Sequence, residues 1–376
     1  MKIGLICPYN IFKGGGVQEY VTGIRDGLTK AGHSAYIITP QPRGYKGPKI
    51  PGLIMLGGST PVRAFHSYAQ ISASVDIEKL EEALKLYNFD ILHFHEPWVP
   101  MLSRQILTRS KSINIGTFHA ALGERRVSKT IERVITPYTK SQLKYLDILT
   151  AVSPTATNYL KSITSRKIYI IPNGVDTDKY KARKEVVSKP GKVILYIGRL
   201  EKRKAVNYLL RSFKLINERY NDFYLKIAGD GPQKNELIEL SRELNLNNVQ
   251  FLGQISEEQK INLLQTADVF CSPALYGESF GIVLLEAMAS GCTIVAGANP
   301  GYEDVLTGSG QISLVNPKDS KEFARRLVMM AADENLRKFW LNWAKKEVKL
   351  YSYGNIVNNY IKLYKLALDV KHNEKT

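Results

Sequence analysis

Three cysteines in 376 residues, Cys7, Cys271 and Cys292, leave no material for a disulfide frame. They stand in apolar stretches without paired spacing, so they read as buried thiols of a reducing compartment and not as a zinc site. No apolar run approaches the ~20 residues that cross a bilayer, which excludes an integral membrane protein. The opening MKIGLICPYN turns polar after eight residues, too soon for a secretory leader. Short tandem repeats and low-complexity tracts are missing as well. Acidic residues are in deficit: 35 Asp and Glu stand against 52 Lys and Arg, a net charge of +17. What is present is 44% hydrophobic and 10% aromatic residues, too apolar for a disordered chain. At roughly 100–200 residues per domain the length suggests two domains, and the whole reads as a cytoplasmic two-domain protein.

The basic excess is uneven. Residues 1–185 carry 26 basic and 14 acidic side chains, residues 186–376 carry 26 and 21. From Arg104 to Lys144 there are nine basic residues and only Glu124 and Glu132 as acids. Such a face concentrates anionic partners, whether nucleic acid, acidic lipid or phosphorylated small molecules. A solvated basic surface and a membrane-surface patch are both consistent with it. Aromatic and basic residues do not interleave on the expected strands as they do in single-strand binders, so nucleic acid is not expected as a partner.

Short β-branched runs alternate with amphipathic segments. The first half offers strands at Ile3–Cys7, Ala35–Thr39, Ile91–Phe94, Ile113–Phe118, Ile148–Ala151 and Ile168–Ile171. Between the first two, Val17–Ala31 places Tyr20, Val21, Ile24 and Leu28 on one helical face. The pattern restarts at Val193–Ile197 and continues through Phe223–Ile227, Val249–Leu252, Val269–Cys271, Thr293–Val295 and Ile312–Leu314. Helices are expected near Lys318–Ala332, Glu334–Lys349 and Tyr353–Val370. Parallel strands need crossover connections, so this alternation predicts an α/β protein of two parallel sheets covered by helices. The polar stretch Ala182–Lys192, with its Pro-Gly stop, marks the break. Ligands of such sheets sit at the carboxyl ends of the strands, where strand order reverses.

Three places after strands carry chemistry. The loop Pro8–Gly16 ends in three glycines before a helix, which suits close approach of an anion to backbone N–H groups, or simply a tight turn. It is not a dinucleotide fingerprint, because Glu19 stands where the last glycine belongs and no acid ends the second strand. Gly198-Arg199-Leu200-Glu201-Lys202-Arg203-Lys204 puts four cations at a strand end, a pyrophosphate clamp or a solvated loop. In Pro273–Glu286, Glu278 sits in a Gly-flanked turn and Glu286 lies inside an apolar helix. A carboxylate there is costly unless it meets hydrogen-bond donors. Sugar and ribose hydroxyls would supply them, with Phe280 and Gly281 amides facing a phosphate; a buried salt bridge is the other solution.

This Glu-x7-Glu element resembles that of the retaining glycosyltransferases of family 4. Further matches run along nearly the whole chain: the Gly-Gly loop before Val17-Gln18, Asp90–Pro97, Thr117-Phe118-His119, Ala151-Val152-Ser153, Pro172–Asp176 and Gly198-Arg199 with Lys204. The opening motif and the Gly-Glu-Ser-Phe-Gly-Ile-Val run are most similar to the phosphatidyl-myo-inositol mannosyltransferases. The resemblance implies two facing Rossmann-like, doubly wound parallel-sheet domains (the GT-B fold). It implies an acceptor-side domain over 1–185, a nucleotide-sugar domain over 190–350, and a C-terminal helix, about 353–376, crossing back to the first domain. It further implies that Gly15, Gly16, Arg199 and Lys204 bind the diphosphate of a sugar nucleotide, beside Ser279, Phe280 and Gly281. Glu286 would hold the ribose and Glu278 the transferred sugar. His119 would lie near that sugar, and Tyr9 and Gln18 near the acceptor.

The reaction so implied retains anomeric configuration and needs no metal or cofactor, because Arg199 and Lys204 neutralise the departing diphosphate. Asp176-Thr177-Asp178 has the form of a metal-binding Asp-x-Asp but occupies the family's turn. His93, His95 and Glu96 look like ligands, yet alternation puts both histidines on one side of a buried strand end. Two departures stand out. Ala205 follows Lys204 where the family has glycine, and Glu124 falls where the inositol enzymes have lysine, with Arg125 and Arg126 beside it. Base recognition is expected around Gly253–Ile255, and acceptor recognition in variable loops at Arg43–Ser67 and Ala120–Lys129. The expected activity is transfer of a sugar, first of all mannose from GDP-mannose, to a lipid-linked or polysaccharide acceptor. The enzyme would sit peripherally on the inner face of the cell membrane, its basic half docked on acidic lipid. A UDP-sugar-dependent transferase or a glucan synthase is the alternative.

Overall fold

The computed structural model describes residues 1–64, 67–120, 126–181 and 191–373. The chain divides into two compact units, Met1–Gly174 with Tyr353–Thr376, and Val175–Ser352. In the first unit the strands are β1 (Lys2–Ile6), β2 (Ser34–Gln41), β3 (Leu53–Ala64), β4 (Ser67–Ser74), β5 (Ile91–His95), β6 (Ile113–Phe118), β7 (Ile148–Ala151) and β8 (Ile168–Ile170). Among the described residues they form one sheet in the order β4-β3-β2-β1-β5-β6-β7-β8. Pairing is parallel from β3 to β8 and antiparallel only between β3 and β4. Helices α1 (Gly16–Lys30), α2 (Ile77–Tyr87), α3 (Leu102–Leu107), α4 (Arg126–Leu143) and α5 (Pro154–Ile163) make the crossovers. Strand order reverses between β1 and β5, so the loops after these two strands flank the switch point.

The second unit repeats the plan. Its strands are β9 (Lys192–Ile197), β10 (Phe223–Ala228), β11 (Val249–Gly253), β12 (Val269–Ser272), β13 (Thr293–Gly297) and β14 (Leu314–Val315). They run parallel in the order β11-β10-β9-β12-β13-β14, reversing between β9 and β12. The helices are α6 (Val206–Asn217), α7 (Lys234–Glu243), α8 (Glu257–Thr266), α9 (Ile282–Ala289), α10 (Pro300–Glu303), α11 (Ser320–Ala332) and α12 (Glu334–Leu350). The last helix, α13 (Tyr353–Asn373), belongs to the first unit.

Two expectations need correction. The stretch Arg43–Ser67, read as a variable loop, contains β3 and runs into β4. Its later part is small and polar, so it lacks the apolar run that marks a buried strand. Pro61 lies beyond Gly58, the last β3 residue paired with β2, where β3 pairs with β4 alone. The boundary between the units falls at Gly174, earlier than residue 185. The segment after it is tied into the second unit: Val175 N–H donates to Tyr351 O at 2.8 Å, and Tyr180 reaches Glu286. The expected break at Ala182–Lys192 lies, over residues 182–190, outside the described residues. So do residues 121–125 of the expected acceptor loop, including Glu124 and Arg125, while Arg126–Lys129 belong to α4.

α1 buries Tyr20, Val21, Ile24 and Leu28, the face its periodicity predicts, and α13 lies against it with Ile356, Val357, Tyr360 and Tyr364. Close approach is set by glycine. A Cβ on Gly23 would stand 2.1 Å from the Tyr353 ring, and one on Gly27 would stand 2.5 Å from Val357 Cγ2. A polar seam completes the contact: Tyr20 OH donates to Tyr360 OH (2.9 Å), and Tyr364 OH meets His93 Nδ1 (2.7 Å). Gly27→Ala therefore sets a helix-propensity gain of about 1 kcal/mol against an overpacking cost of about 1–3 kcal/mol. The expected outcome in urea unfolding is a net loss of about 1 kcal/mol; a gain would mean that α13 gives way easily.

Candidate active site

In the second unit β9 ends at Ile197, and the chain turns sharply through Gly198 and Arg199, whose carbonyl accepts the Tyr196 hydroxyl at 2.8 Å. A Cβ on Gly229, at φ +136, would come within 1.9 Å of Gly198 O, so the loops after β9 and β10 touch backbone to backbone. Lys202–Lys204 form one 3-10 turn, and Ala205 then enters α6 at φ +59. Here the family's glycine has a reason: the position is left-handed, which a residue with a Cβ adopts at a steric cost, and Ala205 adopts it with its methyl buried.

The basic turn closes on Glu278. Lys204 Nζ lies 2.9 Å from Glu278 Oε1, and the Arg203 guanidinium donates to the same oxygen. Arg203 also holds Glu201 Oε2 at 3.0 Å. The two carboxylates outweigh the burial that would lower its pKa, and Arg203 stays charged. Arg199 is further out, 46% exposed, with Glu201 at 3.8 Å. Of the two residues expected to form the clamp, Lys204 stands with Arg203 on Glu278, and Arg199 lies outside that contact. Ser279, Phe280 and Gly281 follow at the N-terminus of α9, where the helix macrodipole is positive. Gly281 sits at φ +98, and a Cβ there would lie 2.7 Å from the Tyr302 ring.

Glu286 is 5% exposed on α9, and protein groups already meet its need for donors. Its Oε1 accepts from Tyr180 OH at 2.9 Å and from Lys260 Nζ at 2.8 Å. Glu257 completes the cluster: it shares the one Tyr180 hydroxyl proton with Glu286 (2.5 Å from the phenol oxygen) and accepts from Lys260 (2.9 Å) and Lys179 (2.8 Å). Burial would raise the Glu257 pKa, but hydrogen bonds from Lys179, Tyr180 and Lys260 hold it down to about 2. Burial, then the two carboxylates, keep Tyr180 protonated. The buried salt bridge left open in the sequence is therefore real at Glu286, and Glu278 makes its ion pairs partly exposed. Tyr180, Glu257 and Lys260 escaped notice because Lys260 is 26 residues from Glu286 and lies on a helix of weak amphipathic pattern.

In the first unit the Gly14–Gly16 loop leads into α1, and the Gln18 side chain folds back until its Oε1 would lie 2.5 Å from a Cβ on Gly15. Tyr9 is partly buried, bridges to Ile71 of β4, and has its phenol pKa raised by burial and then by the charge of Glu96. His119 follows the end of β6, 7% exposed, with Nε2 at 3.1 Å from His95 Nδ1 and its ring edge-on to Tyr20. His93 and His95 share one side of β5, as alternation predicts. His93 spends both ring nitrogens on Tyr364 and on Thr117 Oγ1 (2.6 Å). Asp176 accepts the N–H groups of Asp178 (3.1 Å) and Lys179 (3.0 Å), the work of a turn-former. Among the described residues no group of three His, Cys, Asp or Glu side chains is arranged to hold a metal ion.

Two doubly wound parallel sheets, the second ending in a basic turn locked on a carboxylate before a helix, define the GT-B class of glycosyltransferases. The chain belongs to glycosyltransferase family 4. It matches the family "Glycosyltransferase Family 4" over residues 14–179 and the family "Glycosyl transferases group 1" over residues 178–347. The phosphatidyl-myo-inositol mannosyltransferase of Mycolicibacterium smegmatis is 30% identical over 369 residues, 97% of this chain and 93% of that protein. Among solved structures, sucrose-phosphate synthase from Thermosynechococcus elongatus shares the fold at a TM-score of 0.77 and 21% identity, covering 98% of this chain and 99% of that one. Anabaena HepE, solved with UDP and glucose, shares it at 0.76 and 17%, covering 97% and 99%. The chain is accordingly a hexosyltransferase.

Two consequences are measurable. Lys260→Met leaves Glu286 with the Tyr180 hydroxyl alone, and breaking such a buried pair is expected to cost about 3 kcal/mol in urea unfolding. The second concerns pH. Burial holds His93 and His119 down to about 3, and His95 well below 6.5, so acid protonates these residues in the unfolded chain first. Their contribution is full above pH 6.5 and drains as pH falls. Glu96, which burial raises to about 7, opposes them between pH 7 and 4.5, because there the folded chain holds the extra proton. Between pH 6.5 and 4.5 two net protons remain, and the unfolding free energy should fall by roughly 3 kcal/mol per pH unit there. In His93→Gln that slope should be about half as steep; an unchanged slope would mean His93 is charged in the folded protein.

Proposed function

We propose that this transferase moves mannose from GDP-mannose to a lipid-linked or polysaccharide acceptor at a membrane surface, with retention of configuration and without a metal ion. The observation that carries the reading is the Lys204–Arg203–Glu278 cluster at the start of α9, 2.9 Å across its lysine contact. It joins fixed cations to a carboxylate able to accept sugar hydroxyls. When a sugar nucleotide binds, Lys204 and the arginines Arg199 and Arg203 take the diphosphate, and Glu278 is freed to accept hydroxyls of the sugar. The Ser279, Phe280 and Gly281 amides add the positive end of α9. Glu286 accepts ribose hydroxyls, with Tyr180 and Lys260 retained on its Oε1.

Neutralised in this way, the diphosphate departs with the bonding pair of the anomeric carbon. The acceptor hydroxyl attacks from the same face and gives its proton to the leaving phosphate oxygen, so no enzymic base is needed. His119, held neutral, is assigned to a sugar hydroxyl, Tyr9 and Gln18 to the acceptor, and the Gly15 and Gly16 amides to phosphate. Mannose is favoured by the mannosyltransferase relatives, and a lipid acceptor by their names. Among the described residues no helix is long and apolar enough to cross a membrane, so attachment is assigned to the basic first half of the chain, on the cytoplasmic face.

The test is a thermal-shift panel of GDP, UDP, ADP and their sugar conjugates on wild type and Glu286→Ala. GDP at 100 times its Kd should stabilise by about 2.7 kcal/mol, and the variant should lose most of that gain. A response confined to UDP would move the donor to a UDP-sugar. No response to any nucleotide from folded protein would overturn the reading.

A further inference from the structure

The carboxyl end of β5 reads His93-Phe94-His95-Glu96, and the transfer steps above use none of these side chains. His93, His95 and Glu96 are nonetheless buried to 2% exposure or less. Glu96 leaves the strand at φ +52, a left-handed conformation that a residue with a Cβ adopts at a steric cost. That conformation turns it towards the neighbouring strand. Its N–H donates to Thr117 O at 2.8 Å, and its Oε1 accepts the His119 N–H at 3.0 Å. The Ala120 N–H donates to the same carboxylate, and Trp98 Nε1 donates to Oε2. Glu96 thus grips the peptide at the exit of β6. His95 grips the ring: its Nδ1 lies 3.1 Å from His119 Nε2, while its own Nε2 is buried without a partner.

We propose that Glu96 and His95 are positioning residues for His119, the carboxylate fixing its backbone and the imidazole fixing the plane and proton of its ring. The proposal rests on the transferase reading, in which His119 meets the sugar. A glutamine at this place has one acceptor oxygen and could not take the His119 N–H on one side and the Trp98 indole on the other; the carboxylate takes both. An ionised acceptor makes the stronger bond to an amide, and that rigidity is what a group aimed at a reacting sugar requires. Among the described residues the titratable groups facing Glu96 are Tyr9 from the loop after β1, His95 from its own strand and His119 from the end of β6. None of them is a cation at neutral pH. Burial accordingly raises Glu96 to about 7, whereas His119 stays neutral down to about 3. The grip therefore titrates near neutrality although the histidine does not.

Histidine-selective NMR spectra of the full chain, with the His119 signals assigned through His119→Asn, test this without any substrate. The His119 ring signals are expected to step once between pH 6 and 8, with a midpoint near 7 and no change of tautomer. Glu96→Gln should abolish the step. Trp98→Phe removes a hydrogen bond that stabilises the ionised form, so it should move the midpoint to higher pH. In GDP release from GDP-mannose, Glu96→Gln is expected to lower kcat on the order of 10-fold while leaving KM for the sugar nucleotide within about twofold. A flat His119 signal in the wild type, a step that survives in Glu96→Gln, or an unchanged kcat in that variant would overturn the proposal. Failure of the wild type to turn over any sugar nucleotide would instead count against the transferase reading, while the spectra still decide whether Glu96 governs His119.

Discussion

A carboxylate taken out of water must be met by hydrogen-bond donors, and three such groups organise this protein. Glu96, Glu278 and Glu286 all lie at or beyond the carboxyl ends of parallel strands, where helix starts and loop amides gather. Each is satisfied in a different way: Glu96 by backbone N–H groups and an indole, Glu278 by Arg203 and Lys204, Glu286 by Tyr180 and Lys260. The solutions differ in what they leave available. In the proposed function a diphosphate would replace the glutamate on Lys204 and neutral sugar hydroxyls would replace the lysine on Glu278. A carboxylate on two amides has no such substitute and holds the backbone where it is.

The first unit depends on a second buried polar feature, the seam that seats α13. Tyr20 and Tyr360, His93 and Tyr364, and the hydroxyls of Thr117 and Thr150 run from α1 through β5, β6 and β7 to the last helix. An apolar interface would accept several registers of a helix. Hydrogen bonds at fixed heights, beside glycines that admit only one ridge, accept far fewer. His93, held neutral by burial, joins this seam and leads by way of His95 to His119, so the packing of the chain's final helix and the surroundings of a candidate active-site residue are parts of one network.

Much of the fold was legible. β-branched runs marked nearly every buried strand to within a residue or two, because strands covered on both faces must be apolar throughout. The helical face of α1 was readable for the same reason. The hairpin of β3 and β4 was not, since edge strands may be polar and may even hold Pro61. In the site, residues whose type is unusual for their place announced themselves: cations at a strand end, an acid inside the apolar α9. Arg203 was visible only as one of four cations, and its inner position depends on a single 3-10 turn. Tyr180, Glu257 and Lys260 were silent, because nothing in their own segments is out of place.

The sequence by itself determined the α/β class, the two-sheet plan, the transferase family and the positions of Glu278, Glu286 and His119. These follow from periodicity and local motifs, which are written in neighbouring residues. Only the tertiary structure decided which cation meets which carboxylate, where the chain passes from one unit to the other, and that Glu96 faces the amide of His119. Such facts join residues tens of positions apart, and their energies depend on distance and burial, which no one-dimensional pattern carries.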